Sequence, residues 1–401
     1  CKHLKDLKHL IYFENLLDDA HNELIRKAKE EGQLALGFTC YHMPEVLLNV
    51  DNCFSVRMRA PNTGSIDVAS YYMSNYTCEY CRALVERAIE GGYNFLDGIC
   101  GVDACAQMNR CMENIELLKC IDKPNFFVTH ADIPYKYTDY TLKHYVTQMQ
   151  NRVLNVMHEK LGVDISDAAL REAVERHNEI CRIITEISEL RKLQNPPVTG
   201  YEFHIINMVS FCCPQKLILP YLKETLEEIK SREPDAKPWY RCRVGIVGSE
   251  IDDPNLTRML EDAGAFIAFD RFCFGVFPGR EVIELNDEEP ALVQICRHYL
   301  ITSECPRFMS DEKILQRRET ADRLAREFDA DGIIYENVKF CDFWGFERAL
   351  ASHIQYEDYG HPVLTIDRPY NAKTSGQLRT RFQAFVESLE IKRIQQGKEV
   401  K

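Results

Sequence analysis

Five of the 17 cysteines lie where a thiol side chain would be free to bind a metal. Each follows a strand-like apolar run, begins a helix-like run or precedes a proline: Cys78, Cys105, Cys273, Cys305 and Cys341. Thiolate is the form of cysteine that ligates metals, and the positive end of a helix dipole favours it at the start of a helix, as at Cys78. Iron–sulphur clusters are held by thiolates, which can come from distant loops that meet across a cleft. The five residues therefore indicate metal or redox chemistry at a site built from dispersed ligands.

The other cysteines are interpreted mainly as packing residues, because a free cysteine usually behaves as a small buried apolar side chain. This interpretation covers seven residues: Cys40, Cys53, Cys181, Cys212, Cys213, Cys242 and Cys296. Three others stay open as ligands. Cys81 follows Cys78 by three residues on the same face of a helix, and Cys111 lies six residues after Cys105. Cys100 lies inside an apolar strand, which favours a place in the core.

Other motifs are weak or absent. The run VGIVGSE lacks the full glycine pattern of a dinucleotide-binding loop, and no P-loop, H-E-x-x-H or G-x-S-x-G motif occurs. Any ATP that drives the chemistry is therefore expected to bind elsewhere. In VGSEIDDP the acids before Pro254 predict a helix N-cap. His130 and His204 could supply protons, but a lone histidine is more often a surface residue or a hydrogen-bonded core residue.

The composition excludes several classes of protein. A formal net charge of −13 argues against a general nucleic-acid binder, which needs clustered Lys and Arg for phosphate contacts. The 45% hydrophobic and 28% charged content is typical of a globular protein that neither spans nor binds a membrane. The N-terminal residues 1–32 predict one charged amphipathic helix without the apolar centre of a signal peptide, so we expect a cytoplasmic protein. So many reduced thiols suit a cell with little oxygen.

Strand-like runs alternate with helical runs in both halves of the chain, which is typical of parallel sheets covered by helices. A long helical segment from about Tyr137 to Gln194, interrupted near Gly162, links the two halves. The simplest partition has an N-terminal α/β domain at 1–200 and a C-terminal α/β domain at 201–401. The ends of parallel strands form the usual ligand site of such domains.

One short pattern occurs in both halves. Asp97 to Cys105 and Asp331 to Cys341 each run Asp-Gly-Ile, then a strand, then a cysteine. Both halves thus place a thiol at the carboxyl end of a strand. In the second copy, KFCDFWG, we expect Phe343 and Trp344 to shield a metal site and Gly345 to permit a close backbone approach.

Seven motifs occur in the order in which one known family has them. They are YTCEYCR, FLDGICGVDACAQMNR, VGSEIDDP, FDRFCFG, SECPRF, DGIIYENVKFCDFWG and GQLRTRFQAF. The chain resembles the family of 2-hydroxyacyl-CoA dehydratase and benzoyl-CoA reductase subunits over nearly its whole length. The resemblance and the sequence pattern together predict an α/β fold: two doubly wound parallel-sheet domains with a cluster in the inter-domain cleft, plus helical N-terminal and linking segments.

The resemblance also implies a cofactor. Three cysteines hold a [4Fe-4S] cluster in the family, and their motifs match Cys78, Cys105 and Cys341. Some members hold a double-cubane [8Fe-9S] cluster through six cysteines, and Cys273 and Cys305 match cysteine-bearing motifs of those members. The sixth ligand stays open, with Cys81, Cys100 and Cys111 as candidates. Where the family often has an acid after the second cysteine, this chain has Ala106, so no role for that acid is expected.

The resemblance implies partners and an activity as well. Family enzymes pair two homologous subunits, act on an acyl-CoA and receive electrons from a separate iron–sulphur activator that hydrolyses ATP. The runs RMRAPNTGS, DRFCFG and CPRF look closer to the benzoyl-CoA reductase branch, so ring reduction of an aromatic acyl-CoA is the leading expectation. A 2-hydroxyacyl-CoA dehydratase subunit is the alternative. A non-catalytic subunit that relays electrons or acts as a scaffold is the third possibility.

Overall fold

The computed structural model describes residues 4–61, 63–234, 237–371 and 375–397. The first sheet is parallel and has the strand order β2-β1-β3-β4. Its strands are β1 (Leu34–Phe38), β2 (Cys53–Arg57), β3 (Gly98–Val102) and β4 (Phe127–Ala131). All have buried apolar residues, as expected when helices cover a sheet on both faces.

The second sheet repeats this topology with the order β6-β5-β7-β8, again all parallel. Its strands are β5 (Cys242–Gly248), β6 (Ala265–Phe272), β7 (Gly332–Val338) and β8 (Val363–Arg368). In both sheets the strand order reverses beside the first strand, which opens a crevice at the carboxyl ends of the strands. The two parallel sheets confirm the predicted α/β fold.

Fourteen α-helices are found among the described residues. They are α1 (Leu10–Leu17), α2 (Glu23–Glu30), α3 (Glu79–Ile89), α4 (Ala106–Leu117), α5 (Asp139–Gln148), α6 (Asn155–Leu161), α7 (Asp167–Glu189), α8 (Gly200–Cys212), α9 (Gln215–Ser231), α10 (Pro254–Asp262), α11 (Ala291–Thr302), α12 (Asp311–Glu327), α13 (Asp342–Glu357) and α14 (Gly376–Gln395). Within the described residues, no helix combines the length and the hydrophobicity needed to cross a lipid bilayer.

The N-terminal prediction of one continuous helix is wrong. The chain forms α1 and α2, because the Asn22 side chain accepts the backbone N–H of Ile25 at 3.0 Å and so caps a new helix. The predicted linking segment is helical as expected. It breaks at Gly162, which ends α6 with a φ of 71° that glycine adopts without strain.

The two halves share one core. Helix α8 is buried on all sides and packs against β2 and β6, the edge strands of the two sheets. One apolar cluster includes side chains of both sheets, such as Leu36 and Ile246. The predicted domain boundary between residues 200 and 201 falls at the start of α8, a helix that packs against both halves. This division into two domains stays a prediction.

The Asp-Gly-Ile repeat has a structural cause. The Asp97 carboxylate accepts the backbone N–H of Ala35 at 2.7 Å, and the Asp331 carboxylate accepts that of Arg243 at 2.8 Å. Each acid therefore aligns the third strand of its sheet with the start of the first strand. The glycine that follows needs to lack a side chain, since a Cβ atom at Gly98 would lie 2.5 Å from the Phe127 ring.

Candidate metal centre

A cavity of about 140 Å³ lies where the carboxyl ends of the two sheets face each other. Seven cysteines line it: Cys40, Cys78, Cys81, Cys105, Cys273, Cys305 and Cys341. The structure thus brings together all five thiols that the sequence singled out, from both halves of the chain. Their role as metal ligands stays a prediction.

Three of these thiols begin helices. Cys78, Cys105 and Cys341 are the N-cap residues of α3, α4 and α13. Cys105 Sγ accepts the backbone N–H of Met108 at 3.3 Å. Three positive helix ends therefore converge on one cavity, and each favours a thiolate over a thiol.

The Gln107 side chain joins these helix starts. Its Oε1 accepts the backbone N–H of Cys78 at 2.5 Å, and its Nε2 donates to Asp342 Oδ2 at 2.6 Å. Gln107 belongs to α4, Cys78 caps α3, and Asp342 is the first residue of α13. One half-buried amide thus fixes the three thiol-bearing helix ends relative to one another.

The thiols influence each other's ionisation. Hydrogen bonds from Cys341 and then Cys81 hold the pKa of Cys78 well below its usual value. The same bonds to Cys78 raise the pKa values of Cys341 and Cys81. Burial raises the pKa of Cys105 to about 12. The cavity therefore disfavours several free thiolates at once, and a bound cation would be needed to keep them all ionised.

Two buried arginines also line the cavity. Arg57 Nη2 donates at 3.4 Å to the Thr39 carbonyl and to Glu250, while Arg307 Nη2 donates to the Asp103 carbonyl at 3.0 Å. Arg57 Nε and both Nε and Nη1 of Arg307 have no hydrogen-bond partner among the described residues. Unpaired buried donors of this kind suit an anionic occupant of the cavity.

Aromatic and apolar side chains form another part of the wall. Phe343 and Trp344 line the cavity, where they would keep water from a bound metal. Tyr41 and Met108 also line it. Towards the protein's own atoms, a Cβ atom at Gly345 would lie no closer than 3.7 Å, so no close approach within the chain requires glycine at this position. The expectation that Gly345 permits a close approach to a bound metal stays a prediction.

The chemistry of this donor set suits an iron–sulphur cluster. Soft thiolates select iron–sulphur clusters and similar thiophilic metals. In the part of the chain that the structure describes, no three Cys, His, Asp or Glu side chains are arranged to hold one metal ion. A cubane attaches each thiolate to a different iron, so its ligands stand farther apart than those of one ion.

Several other candidates lie elsewhere. Cys100 is buried in β3 and Cys111 is buried in α4, and neither is among the described residues that line the cavity. His130 is exposed and pairs with Glu116 at 3.0 Å. His130 does not line the cavity either.

His204 lies in the core. Its two ring nitrogens are 3.1 Å from Thr257 Oγ1 and 3.0 Å from the Ile251 carbonyl oxygen. Burial lowers its pKa to about 4. The ring is therefore a neutral structural group and does not line the cavity as a proton donor would.

Cys40 lines the cavity, although its sequence suggested only a packing role. The residue lies just beyond the end of β1, in the place that Cys105 and Cys341 take after β3 and β7. This position after a strand is the signal that could have found it. The other six packing cysteines lie at the start of a strand or within helical runs.

Comparison with known proteins shows the family of the chain. A family model described as the D-component of 2-hydroxyglutaryl-CoA dehydratase matches residues 40–389, from the first cavity cysteine to the last helix. The chain belongs to this family. The predicted resemblance is confirmed, and the family's named members are components of dehydratases and reductases.

Three relatives span most of the chain. The (R)-phenyllactyl-CoA dehydratase beta subunit of Clostridium sporogenes is 23% identical, over 94% of this chain and 97% of its own length. A benzoyl-CoA reductase subunit of Thauera aromatica is 22% identical, over 80% of this chain and 81% of its own. The beta subunit of the (R)-2-hydroxyglutaryl-CoA dehydratase of Acidaminococcus fermentans is 22% identical, over 91% and 95%. All three are named as subunits.

Proposed function

We propose that this chain is an iron–sulphur subunit of an enzyme that delivers low-potential electrons to an acyl-CoA. The observation that carries the proposal is the convergence of Cys78, Cys105 and Cys341 at three helix N-termini around one apolar cavity. These three thiolates would hold a [4Fe-4S] cluster. Such a cluster supplies single electrons and an iron that acts as a Lewis acid towards oxygen.

The chain's own residues would create the environment that this chemistry needs. Phe343 and Trp344 exclude water and oxygen from the thiols, which also favours strong electrostatic interactions inside the site. Arg57 and Arg307 supply positive charge beside an anionic cluster. The many free thiols are consistent with work in the cytoplasm of an anaerobic cell.

We infer three partners: a homologous second subunit, an acyl-CoA, and an activator that couples ATP hydrolysis to electron delivery. Relatives that are themselves named as subunits support the first partner. Since the sequence contains no P-loop, ATP would be hydrolysed by the activator and not by this chain.

The preferred reaction is ring reduction of an aromatic acyl-CoA. The three runs that look closer to this branch each contribute to the cavity wall: Arg57 from RMRAPNTGS, Cys273 from DRFCFG, and Cys305 with Arg307 from CPRF. Reducing one ring double bond consumes two electrons and two protons. The runs that resemble this branch thus lie at the cavity from which electrons would be delivered.

A 2-hydroxyacyl-CoA dehydratase subunit is the second candidate. The length of the sequence match favours it, because the match to the phenyllactyl-CoA dehydratase subunit covers 94% of this chain and the match to the benzoyl-CoA reductase subunit covers 80%. Removing water consumes no net electrons, so the two reactions differ in their electron balance. A subunit that only relays electrons is a third candidate.

A turnover assay separates the candidates. The chain would be produced anaerobically with its partner subunit and activator, then supplied with ATP, reductant and either benzoyl-CoA or a set of (R)-2-hydroxyacyl-CoA thioesters. We expect stoichiometric reductant consumption with the aromatic thioester. Conversion of the hydroxyacyl thioesters alone would reject ring reduction. If only the partner subunit binds CoA, the result would support the third candidate, a subunit that only relays electrons.

A further inference from the structure

Six exposed aromatic and aliphatic side chains lie around the starts of α3 and α13. They form an aromatic patch that consists of Tyr71, Tyr72, Tyr76, Phe340, Phe346 and Leu350. We propose that this aromatic patch is the surface on which the homologous second subunit docks. The inference rests on the proposed function, which calls for such a subunit, and it gives that subunit a place on this chain.

Contacts between two chain segments make the aromatic patch continuous. The Tyr76 and Phe340 rings meet edge to face, with their centroids 5.9 Å apart. The Glu79 backbone N–H donates to the Lys339 carbonyl at 3.2 Å, which holds the start of α3 against the residue before Phe340. The two segments thus present their aromatic rings on one surface.

The buried Arg82 side chain joins the other two tyrosines to this surface. Its Nη1 donates to Ser70 Oγ at 3.2 Å, and its guanidinium carbon lies 6.0 Å from the centroid of the Phe340 ring. Ser70 directly precedes Tyr71 and Tyr72. Arg82 therefore links the segment of these two tyrosines to Phe340.

Helix α13 extends the aromatic patch along its outer side. Asp342, at the start of this side, accepts a hydrogen bond from Gln107, and Phe346 follows one turn later on the same side. The exposed residues of α13 between Asp342 and Glu357 are Phe346, Ala349, Leu350, His353 and Tyr356. The neighbouring helix α12 exposes mainly charged residues, as is usual for a helix that faces water. Helix α13 instead turns an aromatic and aliphatic side outwards, which a partner would bury.

The size of the aromatic patch suits a permanent partner. Its members are between 38% and 87% exposed, which gives on the order of 700 Å² of aromatic and aliphatic surface. The largest apolar patch of a typical monomer covers about 300–600 Å², whereas a stable interface takes about 800 Å² from each partner. The aromatic patch therefore supplies most of the area that a stable interface needs.

Its composition also separates two kinds of partner. Permanent interfaces are apolar, and their cores are rich in Tyr and Phe and poor in charge. Transient electron-transfer contacts are smaller, and charges at their surfaces speed the encounter. The aromatic patch thus fits a permanent subunit better than an activator that binds and leaves.

The test is binding between this full chain and a homologous subunit encoded in the same genome, co-produced anaerobically and measured by sedimentation velocity. We expect a one-to-one complex for the wild type. Binding should be at least about tenfold weaker for Phe346→Glu and for Leu350→Glu, because each would bury an unpaired charge in the interface. Leu315→Glu is the matched control and should bind as the wild type does, since Leu315 is an exposed leucine of α12 outside the aromatic patch.

Thermal unfolding and iron content of every variant are measured alongside. Phe346 and Leu350 are exposed, so both quantities should stay as in the wild type. These measurements distinguish the inference from the proposed function. A wild-type chain that forms the complex but holds no iron would remove the proposed function and keep the docking surface.

Three results would overturn the docking surface. The first is wild-type affinity in both patch variants, or no complex with the wild-type chain. The second is unchanged subunit binding with slower electron transfer from the activator, which would assign the aromatic patch to the activator. The third is self-association of the wild type that the patch variants abolish, which would assign it to a second copy of this chain.

Discussion

Cys105 and Cys341 occupy equivalent positions in the two sheets: each caps the helix that follows the third strand of its sheet. Cys105 follows β3 and Cys341 follows β7, and the two strands begin with the same Asp-Gly-Ile sequence. The cavity lies between these two strand ends, so a duplicated element supplies a thiol from each side. A site of this kind exists only when both halves are folded against each other.

Replacing Cys341 with serine should remove the cluster that this residue helps to hold. A serine hydroxyl is not ionised at neutral pH and binds iron far less well than a thiolate, so we expect about four irons per chain to be lost. Iron and labile sulphide analysis measures this. Cys296→Ser is the matched control, because Cys296 is fully buried in α11 away from the cavity. Unchanged iron in Cys341→Ser would refute its assignment as a ligand.

Replacing Gln107 with leucine should loosen the site without removing a thiol. The Cys78 N–H and the Asp342 carboxylate lose a shared partner, at a cost of about 1 kcal/mol each. We expect the variant to bind iron but to release it several-fold faster to a chelator. Asn109→Leu is the control, because the Asn109 amide donates to Asp103, which lies just before α4, and does not join α4 to another helix. Equal release rates in the two variants would argue against a positioning role for Gln107.

Replacing Arg307 with methionine should make the reduction potential of a bound cluster more negative. Loss of a buried positive charge disfavours the reduced, more anionic state of a cluster. For a charge close to the cluster, the reduction potential should fall by on the order of 50–100 mV. A redox titration followed by EPR measures the shift, and Arg307→Lys should restore most of the potential. If Arg307→Met has the same reduction potential as the wild type, Arg307 does not interact with the cluster.

Acid should destabilise the fold through His204. Its folded pKa is about 4 and its unfolded value is 6.5, so the unfolded state binds the proton first as pH falls. Stability is therefore complete above pH 6.5 and decreases towards pH 4, by about 2 kcal/mol at pH 5 from this residue. Urea unfolding at pH 7 and pH 5 measures the loss. His204→Gln should show a smaller difference between the two pH values, and an identical difference would exclude this cause.

Much of the fold follows from local sequence. Strands and helices alternate in both halves as the sequence pattern predicts, and the apolar residues Phe382 and Leu389 of α14 are buried. Asp253 caps α10 before Pro254, as the paired acids predict. These features depend on residues that are neighbours in the chain, which sequence patterns report directly.

Features that depend on distant contacts were not predictable. Helix α8 shows no amphipathic pattern because both halves bury it, and the break at Asn22 depends on a single cap. Cys40 looks like any packing cysteine until the fold places it on the cavity wall. Gln107 is an ordinary half-buried residue of α4, and its role appears only when the starts of α3 and α13 lie beside it.

The most direct test is the iron and acid-labile sulphide content of the wild-type chain after anaerobic purification. We predict brown protein with at least about four irons and four sulphides per chain, bound by thiolates at Cys78, Cys105 and Cys341. Colourless protein that contains no iron, and acquires none on reconstitution with iron and sulphide, would contradict the proposed cluster site.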